Sequence, residues 1–130
     1  MAKQRVILIV DDEPDNLEEI VEILENNEPQ YELLQAFGGE KALEITRERK
    51  PDLVVADWEM PGMDGLDLVK AIKSDSSISD IPVIMYTGVM TSSQNLEAAL
   101  QAGAADYIRK PIDVIELRAR VSSMLELCDS

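Results

Sequence analysis

The chain has 130 residues, 45% of them apolar and 29% charged, with a formal net charge of −14 and no histidine. This balance suits one folded domain spanning 1–130, and no apolar run approaches the ~20 residues a membrane-spanning helix needs. The acidity argues against direct binding of nucleic acid or an anionic membrane, and the missing histidine removes serine–histidine triads, cysteine–histidine pairs, histidine-ligated zinc and any phosphohistidine carried by the chain itself.

The N-terminal Met-Ala-Lys-Gln-Arg leads straight into a strand-like run, without the longer apolar stretch of a secretory signal, so a cytoplasmic address is expected. Cys128 is the single cysteine, which excludes a disulfide within the chain and reads as a small apolar residue.

Apolar runs alternate with helical patterns from end to end, the signature of βαβ units and a parallel sheet. A first strand covers about Arg5–Val10, and a helix follows from Pro14, where proline suits the first helical position. Leu17, Ile20, Val21 and Leu24 recur at helical spacing and define its buried face. Tyr31–Ala36 alternates in polarity and reads as an edge strand. Gly38-Gly39 turns the chain into a helix of about Glu40–Arg49, which Lys50-Pro51 ends. A third strand at Leu53–Ala56 leads through the loop Trp58–Asp64 to a helix of about Gly65–Lys73. The fourth strand is Ile81–Tyr86, with Pro82 tolerated only near its start. Thr91 and Gln94 form a capping-box pattern for a helix of about Ser92–Ala102, and Ala105–Arg109 is the fifth strand. Asp113 with Glu116 repeats that pattern for a last helix running to about Leu127. Five strands alternating with five helices make an α/β, doubly wound sandwich with right-handed crossovers.

The polar residues that end the strands carry the chemistry. The first strand stops at Asp11-Asp12, the third at Asp57, the fourth at Thr87 and the fifth at Lys110. Ligands of open α/β sheets bind outside the carboxyl ends of the strands. Three carboxylates gathered there repel one another and favour a hard cation, and oxygen ligands select Mg²⁺ or Mn²⁺ over zinc. Lys110 is placed to reach a phosphoryl oxygen as a compact point charge. Asp11 or Asp12 alone would read equally well as a helix cap; the three carboxylates with Lys110 read as a metal and phosphoryl pocket.

Four stretches, Ile9-Val-Asp-Asp-Glu13, Asp57-Trp-Glu-Met-Pro-Gly-Met-Asp-Gly65, Tyr86-Thr-Gly88 and Tyr107-Ile-Arg-Lys-Pro111, occur in order and in register. Together they resemble the receiver domain of two-component response regulators, the CheY-like family, over essentially the whole chain. The resemblance implies a flavodoxin-like five-stranded sheet in the order 2-1-3-4-5. It implies that Asp57 accepts the phosphoryl group and that Asp11, Asp12, Asp57 and the backbone carbonyl of Glu59 ligate Mg²⁺. Thr87 and Lys110 would bind phosphoryl oxygens, and Tyr107 would be the aromatic that changes rotamer on activation. The implied partners are a histidine kinase or phosphotransfer protein and a downstream output domain or protein. The chain would catalyse its own phosphorylation and dephosphorylation rather than act as a conventional enzyme, and would switch the face of the fourth helix, fifth strand and fifth helix.

Glu59 would add a carboxylate near the phosphoryl group, and Val89 would shield that group from water and give it a lifetime of minutes or longer. Asp106, Glu116 and Arg120 resemble part of the charged set through which receivers form homodimers on the switched face. Val114, Leu117, Val121, Met124 and Cys128 recur on the last helix and read as packing against the sheet rather than as a coiled coil.

Three rivals remain on these residues. A haloacid-dehalogenase-type phosphatase would want a second Asp two residues beyond Asp57, where Glu59 stands, and a cap domain. A flavin-binding module would want Gly, Ser and Thr donors after the first strand rather than carboxylates. The principal alternative is a degenerate receiver acting as a phosphorylation-independent interaction module, against which every expected site residue is present.

Overall fold

The computed structural model describes residues 4–26 and 30–128. Its elements are β1 (Val6–Val10), α1 (Pro14–Glu25), β2 (Glu32–Ala36), α2 (Gly39–Arg49), β3 (Leu53–Asp57), α3 (Gly65–Ser74), β4 (Val83–Thr87), α4 (Ser93–Ala102), β5 (Asp106–Arg109) and α5 (Val114–Cys128). All five strands pair in parallel in the order β2-β1-β3-β4-β5. The doubly wound fold expected from the alternation is therefore present, and β2 is an edge strand.

β3 and β4 are buried along their whole length, because crossover helices cover both faces of a parallel sheet. Alternate side chains feed two cores. Leu8, Val10, Val54, Ala56, Val83, Met85 and Tyr107 pack under α2, α3 and α4. Ile7, Ile9, Leu53, Val55, Ile84, Tyr86 and Ile108 face α1 and α5. On α1, Leu17, Ile20 and Leu24 are buried as expected; Ile23 is buried as well, whereas Val21 is only partly covered. On α5, Leu117, Val121 and Leu125 are buried against the sheet and Met124 packs at the margin, while Val114 is exposed. The packing role of that helix holds; the side chain of Cys128 lies outside the described residues.

The helix ends show local chemistry. Pro14 opens α1, and Asp113 accepts the Glu116 backbone N–H at the start of α5. The capping box of α4 is Ser92 with Asn95, not Thr91 with Gln94. Ser92 Oγ accepts the Asn95 N–H at 3.1 Å, and Asn95 Oδ1 accepts the Ser92 N–H at 3.4 Å. Thr91 with Gln94 fits the usual residue pattern, whereas the box that forms has an asparagine in the place usually given to glutamate or glutamine. A further box, unread in the sequence, joins Asp64 and Asp67 at α3, where an aspartate does the work usually given to glutamate. β4 begins at Val83, so Pro82 stands just outside it and removes no strand hydrogen-bond donor.

The register sets the site. Val10 stands opposite Ala56, so the next residues along β1 and β3 are Asp11 and Asp57. Asp57 in turn stands opposite Tyr86, and Thr87 opposite Arg109. The loop that follows Asp57 is folded back tightly: Gly65 donates to the Trp58 carbonyl at 2.9 Å, and a Cβ on Gly65 would fall 2.4 Å from the Asp57 carbonyl oxygen.

Candidate functional site

Asp11, Asp12 and Asp57 converge at the carboxyl edge of the sheet, each offering one oxygen within 4.8 Å of the others. Asp11 and Asp57 are buried, at 0% and 2% exposure, and Asp12 is half-buried at the rim. These oxygens suit a hard divalent cation: the set holds no soft ligand, and two of its carboxylates are cut off from the water that would otherwise screen them.

Asp57 ends β3. Its Oδ1 accepts the Lys110 ammonium at 3.3 Å and the Glu59 backbone N–H at 3.3 Å. Among the described residues its Oδ2 accepts no hydrogen bond, so one oxygen is anchored and the other is available for chemistry. Burial, then the charge of Asp11, push the Asp57 carboxyl up to about 6; Lys110 opposes this, and Glu59 adds to it. Lys110 follows β5, where its backbone N–H bonds the Thr87 carbonyl at 2.7 Å and fixes the stem that reaches back to Asp57.

Thr87 is fully buried at the end of β4. Its hydroxyl donates to Glu59 Oε2 and accepts backbone N–H groups from Val89 at 3.1 Å and Met90 at 2.9 Å. Glu59 Oε1 also accepts the Gly88 N–H at 3.4 Å. The Glu59 side chain, expected only near the pocket, thus spans the gap between the β3 and β4 loops and holds the threonine.

Tyr107 stands opposite Met85 in the sheet, on the face that Thr87 shares and away from the face of Tyr86. Its ring lies edge-on to Trp58, with centroids 6.1 Å apart and an interplanar angle of 83°. Its hydroxyl is buried with no hydrogen-bond partner among the described residues, and burial raises its pKa. Val89, in contrast, is 72% exposed on the loop after β4.

Asp106 of β5 and Glu116 and Arg120 of α5 pair within the chain. Arg120 Nη1 lies 2.9 and 3.2 Å from the two oxygens of Asp106, and Arg120 Nε lies 3.8 Å from Glu116. With Leu96, Leu100 and Tyr107 they line a groove of about 460 Å³.

One contributor was missed in the sequence. Tyr86 is quoted in the motif Tyr86-Thr-Gly88 but assigned no task, and its hydroxyl donates to Asp11 at 2.7 Å. Burial, then the Asp11 charge, hold its phenol far above the ordinary value. The available signal is its place: a tyrosine in an otherwise aliphatic central strand needs a partner for its hydroxyl.

Comparison with known proteins agrees with this geometry. The family profile described as the response regulator receiver domain matches residues 7–122. The chain is 40% identical over 121 residues to the phosphate regulon transcriptional regulatory protein PhoB of Pseudomonas aeruginosa, covering 93% of this chain and 52% of that protein. It is 35% identical over 123 residues to hybrid signal transduction histidine kinase D of Dictyostelium discoideum, covering 94% of this chain and 8% of the kinase. The chain therefore spans about half the length of the first relative and a small part of the second. Among solved structures, a CheY-like response regulator receiver domain protein from Methanospirillum hungatei superposes with a TM-score of 0.84 at 30% identity, covering 95% of each chain.

Proposed function

The chain belongs to the response regulator receiver family, and from that premise we propose that Asp57 is its phosphoacceptor. The donor is the phosphohistidine of a partner histidine kinase or phosphotransfer protein, or a small acyl phosphate. The observation that carries this reading is the pair of unlike oxygens on Asp57, one tied to Lys110 and one that accepts no hydrogen bond among the described residues, in a buried carboxylate.

Asp57 Oδ2 attacks phosphorus in line as the bond to the donor nitrogen or oxygen breaks, and the leaving group keeps that electron pair. Lys110, held against Oδ1, neutralises negative charge on the attacking carboxylate and on the incoming phosphoryl oxygens, so the protein contributes position and electrostatics. Burial keeps Asp57 poorly solvated and hence a better nucleophile than an exposed carboxylate. Asp11, Asp12, Asp57 and the backbone carbonyl of Glu59 would hold Mg²⁺ (or Mn²⁺). When bound, the cation supplies charge compensation for the carboxylates and the phosphoryl oxygens. Hydrolysis by water at phosphorus reverses the modification, so the chain catalyses its own phosphorylation and dephosphorylation.

The new phosphoryl group offers acceptor oxygens that compete with Glu59 for the Thr87 hydroxyl. Thr87 turns inward, Tyr107 takes up the space it leaves, and the surface of α4, β5 and α5 changes. That surface is read by an output domain or protein or by a second copy of the chain. A homodimer on this face would exchange the Arg120 contacts to Asp106 and Glu116 for contacts across the interface. A cytoplasmic address suits this reading, and no described helix is long and apolar enough to cross a membrane. A net charge of −14 disfavours direct contact of this domain with nucleic acid.

Intact-mass measurement after incubation with acetyl phosphate tests the proposal. A Mg²⁺-dependent gain of one phosphoryl mass, absent in Asp57→Asn, is expected. No gain from acetyl phosphate or from any of a panel of histidine kinases would leave a phosphorylation-independent interaction module.

A further inference from the structure

Tyr86 is an aromatic residue of the core beneath α1 and α5, and its hydroxyl reaches the carboxylate cluster. Its side chain is 1% exposed, among Ile9, Ile84 and Ile108. A hydroxyl placed there requires a polar partner, and it has two: Asp11 Oδ2 at 2.7 Å and the Val10 carbonyl at 3.1 Å. The shorter contact, to a carboxylate, is the stronger of the two. The other oxygen of Asp11 accepts the Glu13 backbone N–H at 2.9 Å. Both oxygens of a fully buried carboxylate are thereby pinned, one by the backbone of its own loop and one by a strand 75 residues away.

The same ring carries a second contact. Lys110 Nζ lies 5.2 Å from the Tyr86 ring centroid, within reach of a cation–π attraction, while it also lies 3.3 Å from Asp57 Oδ1. Lys110 is partly exposed, so its long stem has other places to go. The aromatic face narrows that choice to the side of the pocket where Asp57 stands.

We propose that Tyr86 is a positioning residue for this site: its hydroxyl orients Asp11 toward the divalent cation, and its ring steers Lys110 toward Asp57. The inference rests on the phosphoacceptor reading and adds to it a residue that touches neither the phosphoryl group nor the cation. Removing such an outer partner of a ligand typically weakens metal binding by ~10–100-fold.

Two variants separate the two contacts. Tyr86→Phe removes the hydroxyl and keeps the ring; Tyr86→Leu removes both. Mg²⁺ affinity is read by calorimetry and by the fluorescence of Trp58, the single tryptophan, which directly follows Asp57. Ile84→Val serves as the structural control, since it trims a buried neighbour on the same strand and core without touching Asp11. Tyr86→Phe is expected to weaken Mg²⁺ binding about tenfold while Ile84→Val stays at the wild-type value. With Mg²⁺ saturating, Tyr86→Leu should load phosphoryl from acetyl phosphate about threefold more slowly than Tyr86→Phe, and equal rates in the two variants would overturn the role of the ring. Mg²⁺ affinity within twofold of wild type in Tyr86→Phe, or an equal loss in Ile84→Val, would overturn the role of the hydroxyl. If wild type itself binds no Mg²⁺, the cation site fails and the inference goes with it, an outcome distinct from a wild type that binds and a variant that binds equally.

Discussion

Replacing Asp57 with asparagine is expected to stabilise the cation-free protein. The Asp57 carboxyl is 2% exposed and stands within reach of Asp11, and burial followed by that charge raises its pKa from 3.8 to about 6. A carboxyl whose folded pKa exceeds its unfolded value binds its proton more tightly in the folded state, so ionising it costs stability. The penalty is absent below about pH 4, grows as pH rises from about 4 to about 6, and is complete above that window. A shift of this size corresponds to about 3 kcal/mol. The attraction of Lys110 is already contained in the net shift, and asparagine gives it up, so a net gain of about 1–3 kcal/mol is expected at pH 7.5. For a domain of this size that is about 3–10 °C in Tm. The assay is thermal unfolding of both proteins in EDTA at pH 4.0, 5.5 and 7.5, repeated with 10 mM-scale Mg²⁺ (roughly, enough to exceed a weak Kd). The gap should be smallest at pH 4.0, widen to pH 7.5, and shrink when Mg²⁺ stabilises the wild type. A variant no more stable than wild type at pH 7.5 in EDTA, or a gap independent of pH, would refute the electrostatic reasoning.

Glu59→Ala should free the Thr87 hydroxyl and the Gly88 N–H that the carboxylate now engages, raising beryllofluoride affinity about fivefold, as expected for loss of a competing charge-assisted hydrogen bond; unchanged affinity would mean that Glu59 does not restrain Thr87. Tyr107→Phe removes a buried hydroxyl without a partner among the described residues, so urea unfolding should show stability unchanged or higher by up to about 1 kcal/mol, and a loss above about 1 kcal/mol would show the hydroxyl to be bonded. Gly65→Ala places a Cβ 2.4 Å from the Asp57 carbonyl oxygen and 2.8 Å from Trp58 Cα, both backbone atoms, and should cost about 1–3 kcal/mol in denaturant unfolding along with weaker Mg²⁺ binding. A fully stable Gly65→Ala with wild-type Mg²⁺ affinity would show that the loop can move away from α3 without disturbing Asp57.

Apolar patterning placed the five strands and five helices in order, with strand ends within about two residues of those observed. Continuous apolar runs such as Leu53–Ala56 mark strands buried on both faces, and each meets a polar residue where the sheet meets water, which puts Asp11, Asp57, Thr87 and Lys110 at one edge. Local signals failed at the cap of α4, where Ser92 pairs with Asn95 although Thr91 with Gln94 fits the usual residue pattern. Which groups touch depends on how the strands and helices pack. The alternation of side chains along a strand tells that Tyr86 and Ile84 share a face, but not that this face lies beneath α1 and beside the end of β1. Strand order and register bring Tyr86 to Asp11, and the turn after Asp57 carries Glu59 across to Thr87. A hydrogen bond depends on distances of a few tenths of an ångström between residues far apart in the chain. Periodicity constrains the direction of a side chain; only the packed sheet fixes the partner it meets.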